Sequence, residues 1–179
     1  MQRGKVLAYW GAMIDLKSYI RNVPDFPQPG ILFRDISPLL RQAFGETIEA
    51  LGALLDAREW SQVDAIAGVE SRGFILASAL ALRQGKGFVL VRKKGKLPPP
   101  VVELAYGLEY GTGVLEMQAG SGRLLLVDDV LATGGTLMAS AALAELAGYS
   151  VFQSIVLVDL RLKPLFRWDR RPVRAALTY

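Results

Sequence analysis

The sequence predicts an α/β fold in which a mainly parallel sheet is flanked by helices, and three observations carry that expectation. From residue 60 onward, short β-rich runs alternate with helix-like runs. The strand-like runs are apolar without alternation, as in AIAGV (65–69) and LLLV (124–127), the pattern of strands buried on both faces. Glycines stand just past two helical runs, at Gly85 and Gly148, where a left-handed C-terminal cap is expected.

The elements follow in order. In IRNVPDFPQPGILFRDISPLL (20–40), Pro24, Pro27, Pro29 and Gly30 exclude a helix in that interval and describe a stiff, wrapped segment. Composition alone reads it as a clip packing Phe26 and Phe33 onto the core. An amphipathic helix follows, with Phe44, Ile48, Leu51, Leu54 and Leu55 on one face. VDAIAGV (63–69), GFVLVRK (87–93), RLLLVDD (123–129) and VFQSIVLVDL (151–160) read as strands, and GFILASALALRQ (73–84) and TLMASAALAELAG (136–148) as helices. KLPPPVVELAYGLEYGTGVLEMQ (96–118) is too long for an ordinary connection and reads as a loop and hairpin, with VVELAY and VLEMQ as its strands. Such an insertion in an α/β protein is usually a lid or a binding loop, and a flexible lid and hairpin is expected over 94–118.

Composition narrows the chemistry. A chain of 179 residues, 51% hydrophobic with a mean hydropathy of +0.28, suits one domain over 1–179. Its longest apolar runs, FILASALAL (74–82) and SAALAELA (140–147), fall short of the roughly 20 residues of a membrane span. No secretory cleavage pattern follows the first residues, so a soluble, cytoplasmic protein is expected. Zero cysteines exclude disulfides and thiolate chemistry, and zero histidines remove the usual near-neutral acid–base group and the commonest metal ligand. Proton transfer falls to carboxylates, tyrosine, backbone or water. The net charge of +4 fits an anionic small substrate or nucleic acid.

The stretch LLLVDDVLATGGT (124–136) concentrates the function. Ligands of open parallel sheets lie outside the carboxyl ends of strands, where this run ends in Asp128 and Asp129. Gly134 and Gly135 permit close backbone approach, Thr133 and Thr136 supply hydroxyls, and a helix N-terminus near Thr136 offers N–H groups and a positive dipole end. Neither a Walker A loop nor a dinucleotide glycine fingerprint is present. A bare TGGT would more often be a helix cap, with Thr133 and Thr136 capping. Carboxylates repel phosphate, and a sugar phosphate reconciles the two halves: backbone amides take the phosphate while the acids accept hydrogen bonds from the sugar hydroxyls. The same carboxylates favour positive charge developing at the anomeric carbon.

This element resembles the phosphoribosyl pyrophosphate motif of the type I phosphoribosyltransferases, and the chain resembles the adenine-specific branch of that family from about residue 14 to 160. The resemblance implies the type I phosphoribosyltransferase fold, with a hairpin lid and an N-terminal base-binding segment. It implies that Asp128 and Asp129 hold the ribose hydroxyls, and that Ala132, Thr133, Gly134, Gly135 and Thr136 hold the 5′-phosphate. GVESRGF (68–74) and VRKKGKLP (91–98) resemble the family's pyrophosphate loop and lid opening, which implies Arg72, Arg92, Lys93 and Lys96 around the leaving pyrophosphate, with Lys94 in the same basic run and Mg²⁺ completing the neutralisation.

VPDFP, PGI, FRDI and PLL match the family's base-binding stretch in order, which makes Leu32, Phe33 and Arg34 the base-site candidates. Adenine presents a donor at C6 and an acceptor at N1, so one residue's backbone C=O and N–H, such as those of Leu32, can read both. Hypoxanthine and guanine invert that pattern, and buried hydrogen-bond readout rejects a mismatch by roughly 10⁴-fold. Phe33 is placed to stack on the ring. YGLEYGTG (106–113) again matches the family, which implies Glu109 as the acid–base group at the purine imidazole edge and Tyr110 as part of the closing lid. The implied reaction is phosphoribosyl transfer to N9 of adenine, giving AMP and pyrophosphate, by a homodimer that binds neither nucleic acid nor membrane.

Two other readings compete. A transferase for xanthine or hypoxanthine would share the cradle, and only LFRD argues against it. A ligand-sensing regulator would bind nucleic acid through Arg161, Lys163, Arg167, Arg170, Arg171 and Arg174, but the 20 or so residues before VPDFP are too few for a helix-turn-helix domain. The chain departs from the family at KLPPP, where Pro99 stands in place of glycine and stiffens the lid, and in its basic tail LRLKPLFRWDRRPVRAALTY. MIDLKSYIRNVPDFP already looks like a family start, which leaves residues 1–12 as an extension and Met13 as the expected initiator. Mass spectrometry of natively expressed protein is expected to find no residue before Met13; Met1 or Gln2 at the terminus would refute this.

Overall fold

The computed structural model of the chain describes residues 5–7, 13–108, 111–162 and 167–179. Strands β1 (Lys5–Leu7) and β2 (Met13–Asp15) form a short antiparallel ribbon, followed by a 3₁₀ turn over Leu16–Tyr19. The proline-rich segment is a hairpin of β3 (Arg21–Pro24) and β4 (Leu32–Asp35), in the register Asn22 to Arg34 and Val23 to Phe33. Three helices come next: α1 (Ser37–Gln42), α2 (Phe44–Gly52) and α3 (Ala57–Trp60). The alternating half of the chain then runs β5 (Ala65–Val69), α4 (Arg72–Gln84), β6 (Gly87–Lys93), β7 (Val102–Leu108), β8 (Gly111–Met117), β9 (Gly122–Leu131), α5 (Gly135–Leu146) and β10 (Tyr149–Asp159). A ribbon of β11 (Arg167–Trp168) and β12 (Arg171–Pro172) precedes β13 (Arg174–Thr178).

Seven of these strands make one sheet in the order β13-β10-β9-β5-β6-β8-β7. The five from β13 to β6 are parallel, whereas β8 and β7 join antiparallel as the expected hairpin. The unbroken apolar runs are explained by burial on both faces. Along β9, Leu125 and Val127 enter a core with Leu76 and Leu80 of α4 and Leu39 and Leu51 of the preceding helices. Leu124 and Leu126 enter the opposite core with Leu137, Leu143 and Ala144 of α5 and Leu115 and Met117 of β8. Gly85 closes α4 at φ 61°, and Gly148 stands just past the cap of α5 at φ 97°. Among the described residues no helix is long and apolar enough to cross a membrane.

Several expectations are corrected. The amphipathic helix ends at Gly52, and Leu54 and Leu55 reach the same core from the turn beyond it, where Trp60 Nε1 donates to Gly52 O at 3.0 Å. Strand β9 continues past Asp129 to Leu131, because β10 stays paired with it to Asp159. The clip does not pack Phe26 onto the core: its ring is 50% exposed and meets Phe33 edge-on at 5.1 Å. Part of the tail becomes the edge strand β13, tied down by Arg174, which donates to Glu59 at 2.8 Å and to Leu54 O at 2.6 Å.

Glycine sets how closely α4 lies on the sheet. A Cβ on Gly68 would stand 2.9 Å from both Ala77 Cβ and Phe88 Cε2, and one on Gly73 would stand 3.0 Å from Val127 O. These contacts leave no room for a methyl group. Gly68→Ala is expected to lower unfolding free energy by about 1–3 kcal/mol in urea denaturation, and an unchanged midpoint would show that helix α4 can move away freely.

Candidate active site

The carboxyl ends of β5, β6 and β9 open into a cavity of about 360 Å³ lined by Glu70, Ser71, Arg72, Lys93, Tyr106, Leu115, Asp128, Asp129 and Thr136. Its acidic floor comes from β9. Asp129 is almost wholly buried, and its backbone N–H donates to Asp128 Oδ1 at 2.9 Å. Close approach of α4 at Gly73 brings the start of that helix against Asp128, and Arg72 Nε lies 2.7 Å from Asp129 Oδ2. That contact is short but poorly aligned, so buried Asp129 Oδ2 has no well-directed hydrogen-bond donor among the described residues.

The two acids are electrostatically uncomfortable. Burial, then the neighbouring Asp129 charge, pushes the Asp128 carboxyl well above the ordinary aspartate range. Burial raises Asp129 as well, with the Arg72 guanidinium opposing the rise. An arrangement that stores unfavourable charge in a cleft is one that a ligand or cation relieves.

The turn after β9 carries Ala132, Thr133 and Gly134 to the start of α5. Gly134 is the N-cap residue, at φ 85°, and no side chain caps the helix. Thr133 and Thr136 therefore do not act as the caps that a bare TGGT suggests, the helix start is left without a side-chain cap, and of the turn Thr136 lines the cavity. Gly135 approaches the lid hairpin, with Gly107 O 3.9 Å from where its Cβ would be. Within the hairpin, Tyr106 covers Gly113, whose Cβ would fall 2.8 Å from the ring.

The basic residues divide into two groups. Arg72 and Lys93 line the cavity. Arg92 is engaged behind it, with Nε 3.3 Å from Glu70 Oε2, Nη1 donating to Lys96 O at 3.1 Å, and its guanidinium over the Phe74 ring. Lys94 pairs with Glu103 at 2.7 Å, and Lys96 is exposed and off the cavity wall. Glu116, 2% exposed on β8, organises this loop by accepting from the backbone N–H groups of Gly95, Lys96 and Leu97 at 2.6–2.9 Å. Burial opposes ionisation of Glu116, but these donors outweigh it and hold the carboxyl below its usual value. Glu70 is likewise lowered despite its burial, by the Lys93 N–H and by Arg92.

None of Leu32, Phe33 and Arg34 lines the cavity; the β3–β4 hairpin reaches its wall through Phe33, whose ring lies 5.0 Å from the guanidinium of cavity-lining Arg72. Leu32 is half exposed. Arg34 turns the other way, donating to Asn22 Oδ1 and lying 4.0 Å from the Tyr179 ring centroid. Glu109 and Tyr110 lie outside the described residues. Tyr106, Glu70, Ser71 and Leu115 line the site without having been singled out, although the first three belong to motifs quoted above. Of the tail cations, Arg161 pairs with Asp159, Arg167 donates to Arg170 O, Arg171 donates to Phe152 O and Arg174 pairs with Glu59; Lys163 lies outside the described residues.

Residues 40–173 match the phosphoribosyl transferase domain family. The chain is 52% identical to adenine phosphoribosyltransferase of Hydrogenovibrio crunogenus over 92% of its length and 96% of the relative's. It is 50% identical to that of Bdellovibrio bacteriovorus, over 93% of this chain and all of the relative. The fold superposes on adenine phosphoribosyltransferase of Thermoanaerobacter pseudethanolicus with a TM-score of 0.81 at 41% identity, covering 92% of this chain and 98% of the other. The Giardia lamblia enzyme complexed with 9-deazaadenine gives 0.80 at 32% identity, covering 92% and 96%.

The acid pair carries a stability cost whose sign follows from its titration. A carboxyl raised in the folded state binds its proton more tightly than in the unfolded chain, so stability falls as pH rises from about 3.8 through the folded value. Asp128→Asn is therefore expected to be more stable than the native protein at pH 7, by on the order of 1 kcal/mol, with the gain shrinking towards pH 3. Urea denaturation at the two pH values checks this, and a less stable variant at pH 7 would refute the cost.

Proposed function

The chain belongs to the phosphoribosyltransferase family, and from that premise we propose that it transfers the phosphoribosyl group of phosphoribosyl pyrophosphate to N9 of adenine, giving AMP and pyrophosphate. The observation that carries this reading is one cavity lined by the buried pair Asp128 and Asp129, by Arg72 against Asp129 and by Thr136 from the first turn of an uncapped helix. Adenine as the base is supported by the names and extent of the relatives and solved structures above.

The residues divide the work by charge. The 5′-phosphate takes the N–H groups of the turn from Ala132 to Thr136, aided by the Thr133 and Thr136 hydroxyls and the positive end of α5. Asp128 and Asp129 accept the ribose hydroxyls and stabilise positive charge at the anomeric carbon as its bond to pyrophosphate lengthens. Arg72 and Lys93 receive the leaving pyrophosphate, and Arg92 and Lys96 shape the loop beside it through the hydrogen bond between them. Leu32 reads the adenine edge through its backbone, Phe33 supplies the stacking face and Arg34 lies beside them. N9 bonds to the anomeric carbon as its proton passes to the Glu109 carboxylate, while the lid, with Tyr110, keeps water from the cation.

A divalent cation fits these residues. Mg²⁺ keeps several waters and binds beside substrate phosphates, so it is expected here mainly through substrate oxygens and water. Buried Asp129 Oδ2 lacks an aligned donor, and Asp128 and Asp129 line the cavity; these two carboxylates would meet the ion through water. Bound there, Mg²⁺ would neutralise charge on the departing pyrophosphate. The same reading has the protein acting as a homodimer in the cytoplasm.

Purified protein with Mg²⁺ and phosphoribosyl pyrophosphate is expected to form AMP from adenine and no nucleotide at a comparable rate from hypoxanthine, guanine or xanthine, followed by chromatography. Asp129→Asn is expected to lower kcat by about 10²-fold or more. Product from another base would keep the cradle and overturn the assignment of Leu32 to Arg34.

A further inference from the structure

The hairpin that carries Leu32, Phe33 and Arg34 is held at its two ends by the core, through buried Ile20 and Ile36. Between those anchors it stands out from the sheet, with Phe26, Ile31 and Leu32 all exposed. Among the described residues, two cation–ring contacts tie its far strand to the rest of the molecule. One is Phe33 against Arg72, on the cavity side. The other is Arg34, whose guanidinium lies 4.0 Å from the centroid of the Tyr179 ring.

Tyr179 is itself firmly placed. Its N–H donates to Asp159 O at 3.0 Å, continuing the pairing of β13 with β10. Lys17 Nζ lies 4.7 Å from the same ring centroid and donates to Thr178 O. Tyr179 is 37% exposed, and two cations share its ring. Cation–π attraction is directional, since the negative charge of the quadrupole lies over the ring faces. A guanidinium so held cannot slide without losing it, and Arg34 is also bonded to Asn22 of the neighbouring strand. The ring therefore fixes the lateral position of the strand that presents Leu32 and Phe33.

We infer that Tyr179, on the edge strand of the sheet, is a positioning residue for base recognition: it clamps Arg34 and so sets where the hairpin holds adenine. This inference rests on the phosphoribosyl transfer proposed above. Its basis is the juxtaposition of the tail, a region whose sequence departs from the family pattern, with the base-binding hairpin. Because the clamp acts on the base side and not on Asp128, Asp129 or the α5 turn, its loss changes base capture and leaves the chemistry and the phosphoribosyl pyrophosphate site alone.

Steady-state kinetics of Tyr179→Ala, Tyr179→Leu and Tyr179→Phe, with adenine and phosphoribosyl pyrophosphate varied separately, test this. Tyr179→Ala and Tyr179→Leu are expected to raise KM for adenine about three- to ten-fold, with kcat and KM for phosphoribosyl pyrophosphate within about two-fold. Tyr179→Phe, which keeps the ring face, restores native KM. Equal rises in both KM values, or a leucine variant that behaves as native, would reduce the ring to packing and overturn the inference. If the unaltered protein makes no AMP, the proposed reaction fails and takes this inference with it; if it does and Tyr179→Ala matches it, the inference alone fails.

Discussion

Two adjacent carboxylates at the carboxyl end of a buried strand, with one guanidinium against them, impose the constraint around which the site is built. Asp128 and Asp129 sit where burial opposes the charge of both and the Asp129 charge adds to the cost at Asp128, and such a pair is relieved either by holding a proton or by a cation nearby. Arg72 supplies it from the first residue of α4. The helix can bring Arg72 there only because Gly68 and Gly73 let α4 lie directly on β5 and β9. Two glycines in one motif region thus have an electrostatic consequence several residues away.

Around this centre, other acids do quieter work. Glu70 and Glu116 are not aimed at charge transfer; they collect backbone N–H groups and hold the turn after β6 in shape. A basic loop of the sequence RKKGK would repel itself if its shape depended on its own side chains. Ionised carboxylates beneath it offset that repulsion and leave Lys93 facing the cavity. The loop is therefore ordered by acids from two strands, β8 and the end of β5, rather than by its own residues.

The basic tail has the opposite lesson. Its charge invites a reading as a polyanion-binding surface, yet Arg161, Arg167, Arg171 and Arg174 bond to carboxylates or carbonyls of the chain itself. Arg174 in particular ties β13 to α3 and holds Glu59 down to a pKa of about 2, chiefly by hydrogen bonding. Of these, Arg174 is the fastening of an edge strand, while Arg161, Arg167 and Arg171 make their contacts from exposed positions.

What the amino-acid order determined by itself was local. Alternating runs of buried strand and helix, and the glycine caps at Gly85 and Gly148, needed only periodicity and backbone conformation to be legible, and both are as the sequence implies. The union of Asp128, Asp129 and the TGGT turn was legible too, because strand, acids and helix start are contiguous. Tertiary structure decided everything that joins residues far apart. It selected Arg72 and Lys93 for the cavity while Arg92 turned to Glu70, and it recruited Tyr106 and Leu115 from the hairpin. It extended β9 to Leu131 through pairing with β10, and it brought Tyr179 against Arg34. The physical reason is common to all of these: a side chain's partner is set by packing between elements, and no periodicity along the chain encodes which of several nearby cations will find the carboxylate first.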